Sequence, residues 1–178
     1  MKFICALVLI CFLAGCFQPT KKEDNINKIE IATSGCLRGC PVIGISIDSS
    51  LAFRYYGGYK AKLQGYYSGV VTRGFWNTLN IKLKKISFKT LDTSKDYPID
   101  GEVAEAIFYW NNQKRHIFKS IDADPDSVSH VLIWIINSYK NIELNKLKDS
   151  GKFETRYQYM MPPKPNLHQI IFPPPKRQ

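Results

Sequence analysis

The chain changes its hydrophobic period several times, and each change predicts an element. Ile29 and Ile31 flank Glu30, the alternation of a short first strand. From Val42 to Asp48, Ile43, Ile45 and Ile47 fall on one face. Ser49 and Ser50 make a polar break, and Leu51 to Tyr56 resumes extended character. This predicts a β-hairpin that ends at Gly57 and Gly58. Lys60 to Val71, with Tyr66, Tyr67, Val70 and Val71, predicts another strand. The period then lengthens. Phe75, Trp76, Leu79, Leu83 and Ile86 line one side of a helix, with Thr72 as its N-cap. Lys82, Lys84 and Lys85 sit where the helix dipole favours cations. Ser87 to Asp100 is a polar loop.

Glu102 to Trp110 and Lys114 to Ile121 predict a second hairpin around Asn111, Asn112 and Gln113. Asp124 is expected to cap a second helix with Pro125 at its first position. Val128, Val131, Leu132, Ile135, Ile136 and Tyr139 give that helix a wide apolar stripe, with Trp134 beside it. Phe153 to Met161 predicts a last strand, and residues 162–178 form a proline-rich, extended tail. Runs of strands broken by single helices imply an α+β fold. The expected architecture is an antiparallel sheet built from two hairpins plus extra strands, with two helices packed on one face.

The first residues follow a different pattern. Lys2 precedes an uncharged apolar run from Phe3 to Phe12, as in a secretory signal. The run is too short to span a bilayer, which takes about 20 residues. Leu13, Ala14, Gly15 and Cys16 follow, and this segment resembles the lipobox of bacterial lipoproteins. The resemblance implies a signal peptide over residues 1–15, cleavage between Gly15 and Cys16, and a diacylglycerol thioether on Cys16. Two or three acyl chains, at about 0.8 kcal/mol per buried CH2, make a stable membrane anchor. Residues 16–28 are then the lipidated cysteine and a flexible tether. Residues 29–161 form a single domain. Where a cell has two membranes, Phe17 after the cysteine favours the outer over the inner one.

Charge and cysteine usage fit that address. The chain carries a formal +10, and loss of the signal, with its single lysine, leaves +9. Such a balance favours anionic headgroups or an anionic envelope polymer, or an envelope protein, as partner. Nucleic acid is not expected for an exported lipoprotein. Cys5 and Cys11 leave with the signal and Cys16 takes lipid, so Cys36 and Cys40 remain as a pair in an oxidising compartment. A disulfide between them is expected. A thiol–disulfide activity is the alternative, although three residues separate the pair where thioredoxin-type sites have two. No metal is expected, because no second cysteine pair exists and His116, His130 and His168 are scattered.

The stretch from Thr33 through Gly35, Cys36, Gly39, Cys40 and Pro41 to Val42, followed by Ile45, Ile47 and Asp48, resembles a bacterial domain of unknown function. That family occurs in exported and lipid-anchored proteins and opens with Gly-Cys-x-x-x-Cys-Pro. The resemblance covers roughly residues 29–141 and places Asp100 at a loop Asp and Pro125 at a helix Pro. Ile43 stands where the family usually has an aromatic, and Asp48, Ser49 and Ser50 where it has Asp-Gly. The resemblance implies fold and export, and no reaction.

The remaining candidates concern binding and chemistry. Tyr55, Tyr56, Tyr66 and Tyr67, with Arg54, Lys60 and Lys62 among them, are candidates for a binding face. Ordinary sheet packing is the competing account. Asp122, Asp124 and Asp126 alternate like an EF-hand loop, but Ser127 and Ile133 stand where Gly and Glu are needed. His116 or His130 would be the base of an envelope hydrolase, the alternative to a non-catalytic binding domain. No catalytic constellation and no cofactor motif emerges.

Overall fold

The structure, a computed structural model, describes residues 25–36, 39–92, 101–121, 125–148 and 151–159. Its strands are β1 (Lys28–Thr33), β2 (Ile43–Asp48), β3 (Ala52–Gly57), β4 (Gly65–Val70), β5 (Val103–Trp110), β6 (Gln113–Ser120) and β7 (Asn145–Lys146). The helices are α1 (Arg73–Lys85) and α2 (Ser127–Ile136). All seven strands join one antiparallel sheet in the order β6-β5-β1-β2-β3-β4-β7. The two helices pack on one face of that sheet, so the α+β expectation holds.

Alternation along β1 explains its central place. Ile29 and Ile31 point to the helices, and Glu30 and Ala32 to the outer face, yet all four are buried. The helix-side core joins Ile29, Ile31, Ile45, Ile47, Phe53 and Phe108 to Leu79 and Leu83 of α1 and Leu132 and Ile135 of α2. Ala104, Ala106, Phe108 and Trp110 are the helix-facing set of β5, and small Ala side chains there admit the bulky residues above them. Phe75 of α1 stacks on Trp134 of α2 with centroids 4.8 Å apart.

The turns follow local chemistry. Leu51 takes the left-handed conformation at φ 72°, and its N–H donates to the Asp48 carbonyl at 2.9 Å. The Asp48 carboxylate accepts from the Ser50 N–H at 2.9 Å, which tightens the same turn. Asn111 and Asn112 both have positive φ, at 44° and 62°. Two such residues make the type I′ turn whose twist suits a two-residue hairpin. Gln113, expected in the turn, is therefore the first residue of β6 and pairs with Trp110.

Other boundaries differ from expectation as well. The strand predicted from Lys60 begins at Gly65, because Lys60 turns at φ 56° and Gly65 at φ 105°. Gly57 permits this loop to fold back, since a Cβ there would meet the Leu63 carbonyl oxygen at 1.7 Å. The cap of α2 is Asp126, whose carboxylate accepts from the Ser129 N–H at 2.8 Å, and Pro125 stands just outside the helix. Asp122 and Asp124 lie outside the described residues, as does Asp100. Tyr157–Tyr159 forms a 3-10 turn where a last strand was expected. Its first amide, Tyr157 N, donates to the Glu105 carboxylate at 2.9 Å, and its last, Tyr159 N, to the Arg156 carbonyl at 2.9 Å.

Candidate functional site: the outer face of the sheet

The face opposite the helices is built around two buried carboxylates. Glu30 of β1 and Glu105 of β5 are each only 1% exposed. Their strands are paired so that Glu30 faces Ile107 and Glu105 faces Ala32, which sets the two acids diagonally. Each acid holds two consecutive backbone amides of the segment 151–159. Glu30 Oε2 accepts from Glu154 N at 2.5 Å and Thr155 N at 3.2 Å. Glu105 Oε2 accepts from Arg156 N at 2.7 Å and Tyr157 N at 2.9 Å. The second oxygens go to cations or donors: Lys28 Nζ lies 2.5 Å from Glu30 Oε1, and His116 Nε2 lies 2.9 Å from Glu105 Oε1. Buried charge is costly unless every lone pair finds a partner, and here each oxygen has one.

Side chains of this segment, a strap across β1 and β5, add to the cover. Tyr157 packs on Phe118 with centroids 5.4 Å apart, beside Ala32 and Val103. Gln158 lies over Gly44, where the missing side chain leaves room. Glu154 accepts from the Tyr109 hydroxyl at 2.8 Å and pairs with Lys114. The Lys114 and Tyr109 contacts hold the Glu154 carboxyl below its usual range. Burial, then the Glu154 bond, pushes the Tyr109 hydroxyl well above its ordinary value.

The four candidate tyrosines divide between the two faces. Tyr55 and Tyr67 are cross-strand partners on the helix side, and Tyr56 and Tyr66 are partners on the outer side. Consecutive strand residues point to opposite faces, so adjacent tyrosines cannot share one. Tyr55 is fully buried, bonds the Leu63 carbonyl and packs on Tyr139 at 4.8 Å. Burial raises its hydroxyl pKa. Tyr56 and Tyr66 pack in a tilted pair, centroids 4.7 Å apart, on the outer face, and the Tyr159 ring of the strap lies 6.2 Å from that of Tyr56.

The histidines are also separated by the sheet. His116 stands on the outer face against Glu105, while exposed His130 on α2 turns Nδ1 to the Asp126 carbonyl at 2.8 Å. Cys36 and Cys40 are joined in a disulfide with Cα atoms 5.1 Å apart. The loop between them turns at Gly39, whose φ is 88°. Beside it lies a cleft of about 280 Å³ lined by Pro41, Lys60, Lys62, Tyr139 and Lys140 among others. Among the described residues no group of three or more His, Cys, Asp or Glu side chains is placed to hold a metal ion. Cys16, His168 and the tail 162–178 lie outside the described residues.

Glu30 and Glu105 were not among the candidates. The signal for them was available: each is one acid between apolar residues, Ile29 and Ile31 or Ala104 and Ala106. An acid flanked by apolar residues in a strand covered on both faces is a buried acid in need of donors.

The family described as "Domain of unknown function (DUF6438)" matches residues 27–143. The chain belongs to the DUF6438 family. No curated protein matches it. The DUF6438 span holds Glu30, Glu105 and the disulfide, whereas the strap at 151–159 lies downstream of it.

Proposed function

We propose that this DUF6438 chain is a lipid-anchored cell-envelope protein whose domain binds an envelope protein or an anionic polymer and performs no catalysis. The observation that carries the anchor is Leu13, Ala14, Gly15 and Cys16 directly after the apolar run Phe3 to Phe12. A small-residue segment ending in cysteine at that position suits cleavage before Cys16 and acylation of its thiol. Phe17 favours the outer membrane in a cell that has two. An anionic partner is supported by the net charge and by the cleft bearing Lys60, Lys62 and Lys140. Labelled palmitate fed to cells should enter the protein and should not enter the Cys16→Ala variant. A protein that stays unlabelled and is released in soluble form sinks the anchor. Crosslinking in intact cells, compared between the native chain and one carrying Tyr56→Ala and Tyr66→Ala, tests the outer-face tyrosines as partner contacts.

One observation favours a second reading, an envelope hydrolase. His116 Nε2 lies 2.9 Å from Glu105, the arrangement of a base held by a carboxylate. Ester or amide hydrolysis abolished by His116→Ala in a folded protein would establish it. Unchanged turnover would remove it.

A further inference from the structure

We propose that α1 is the membrane-facing side of the domain, lying against anionic phospholipid headgroups. This rests on the lipid-anchor reading above and adds an orientation to it. The tether meets the domain at α1. The Ile26 N–H donates to Asn80 Oδ1 at 3.0 Å, and the Ile26 side chain is buried. Asn80, itself buried, donates back to the Trp76 carbonyl at 2.9 Å. The chain arriving from Cys16 is therefore fastened to α1 before it enters β1. Residues 17–24 are all that separate the lipid-bearing cysteine from Asn25. Eight residues reach about 28 Å when fully extended and about 16 Å as a coil. An anchored domain cannot carry α1 far from the lipid.

The face that α1 turns outward suits that neighbour. Lys84 lies one turn from Asn80, and Arg73, Lys84 and Lys85 are exposed together with Asn77 and Thr78. Ile81, 67% exposed, stands among them, one helical turn from Asn77 and Thr78 on one side and Lys84 and Lys85 on the other. From Ser49 to Leu91 the sequence holds eight Lys and Arg and no Asp or Glu, and five of the eight are Arg73, Lys82, Lys84, Lys85 and Lys89. Attraction between such cations and an anionic leaflet acts within a Debye length of about 8–10 Å. The opposite face is differently made. The strap covers its centre over β1 and β5, and its Lys28 and Lys114 are paired with Glu30 and Glu154. No helix among the described residues is long and apolar enough to cross a membrane, so the contact made by α1 is peripheral.

The test uses the full-length, lipidated protein in phosphatidylcholine vesicles with and without phosphatidylglycerol. Lysine acylation rates are read residue by residue by mass spectrometry. Lys84 and Lys85 should label roughly five-fold more slowly on the anionic vesicles, and the half-buried Lys82 beside them also more slowly, with recovery at high salt. Lys114, on the other face, should label equally on both. Lys84→Glu with Lys85→Glu, at two exposed positions, should abolish the slower labelling of Lys82 on anionic vesicles while circular dichroism stays native. A protein that floats with both vesicle types but labels equally at Lys84 and Lys85 overturns the orientation and leaves the anchor standing. A protein that floats with neither overturns the anchor, and the orientation with it.

Discussion

The two faces of the sheet are covered by different physics, the helix side by apolar packing and the outer side, over β1 and β5, by a strap held on two acids. On the helix side, Ile29, Ile31, Ile45, Ile47, Phe53 and Phe108 meet Leu79, Leu83 and Leu132 without a polar atom among their side chains. That face gains by area, at about 25 cal/mol per Å², and shape is its main demand. On the outer side the same strands present Glu30 and Glu105, which hold four amides of the strap, Lys28 and His116. That face gains only if every partner stays in place, because an orphaned buried charge costs several kcal/mol. The first face accepts another hydrophobe of matching volume. The second depends on particular atoms, and its covering segment lies outside the family span.

Truncation on the apolar side should have the largest effect. Phe108→Ala is expected to cost about 3–5 kcal/mol in urea denaturation, as lost transfer energy plus a cavity. Phe108→Leu should cost well under half of that, since a core accepts another hydrophobe of similar size. Glu105→Ala comes next, at about 2–4 kcal/mol, because it orphans the Arg156 and Tyr157 amides. The loss is bounded by the docking energy of the strap, which can lift and give its amides to water. Limited proteolysis should therefore cut within 151–159 in Glu105→Ala and leave that segment intact in Phe108→Leu. Equal cutting in both would erase the distinction between the faces.

That distinction also explains what could be read from the chain in advance. Period-2 runs and a period-3.6 run mark the strands and α1, because burial of one face imposes the pattern directly. Thr72 caps α1 as expected, its Oγ1 accepting from the Phe75 N–H at 3.1 Å. The strap was not legible. Phe153, Thr155 and Tyr157 alternate like a strand, but the amides of Thr155 and Tyr157 answer to Glu30 and Glu105, more than 50 residues away along the chain. Strand pairing was hidden for the same reason. Nothing local says that β1 lies between β2 and β5, so the parity of β5 that faces the helices could not be chosen from its own residues. The tyrosine quartet fails on a simpler point, since neighbours in a strand diverge.

The disulfide belongs to neither face, and its effect should be smaller than either. Cys36 and Cys40 close a short loop at the end of β1, so the gain comes from constraining the unfolded chain. For a loop of this size it is about 2 kcal/mol. Thiol reductant should lower the melting temperature of the native protein and leave that of the Cys36→Ser, Cys40→Ser double variant unchanged. An equal response of both proteins would place the effect elsewhere. Thr33 should keep the loop docked after reduction, because its hydroxyl donates to the Pro41 carbonyl at 2.7 Å and accepts from the Ile43 N–H at 3.0 Å.

The smallest effect concerns the link between the sheet and α2. Asp126 caps α2 and pairs with Lys119 of β6 at 2.9 Å. Partial burial pushes its carboxyl up, but the Ser129 amide and hydroxyl and the Lys119 ammonium outweigh this and lower it to about 2, from an ordinary 3.8. A depressed carboxyl stabilises the fold above its unfolded pKa and loses that contribution as pH falls through the folded value. The window is therefore pH 4 down to pH 2. Asp126→Ala should cost about 1 kcal/mol at neutral pH, the usual worth of an N-cap. Asp126→Asn keeps a capping oxygen and removes only the charge, so it should cost about 0.5 kcal/mol, modest because the side chain is half-exposed and screened. Urea denaturation of the native and Asp126→Asn proteins at steps from pH 7 to pH 2 separates cap from charge. The gap between them should close across pH 4 to 2. A gap that persists unchanged at pH 2 would mean that the carboxylate acts only through its shape.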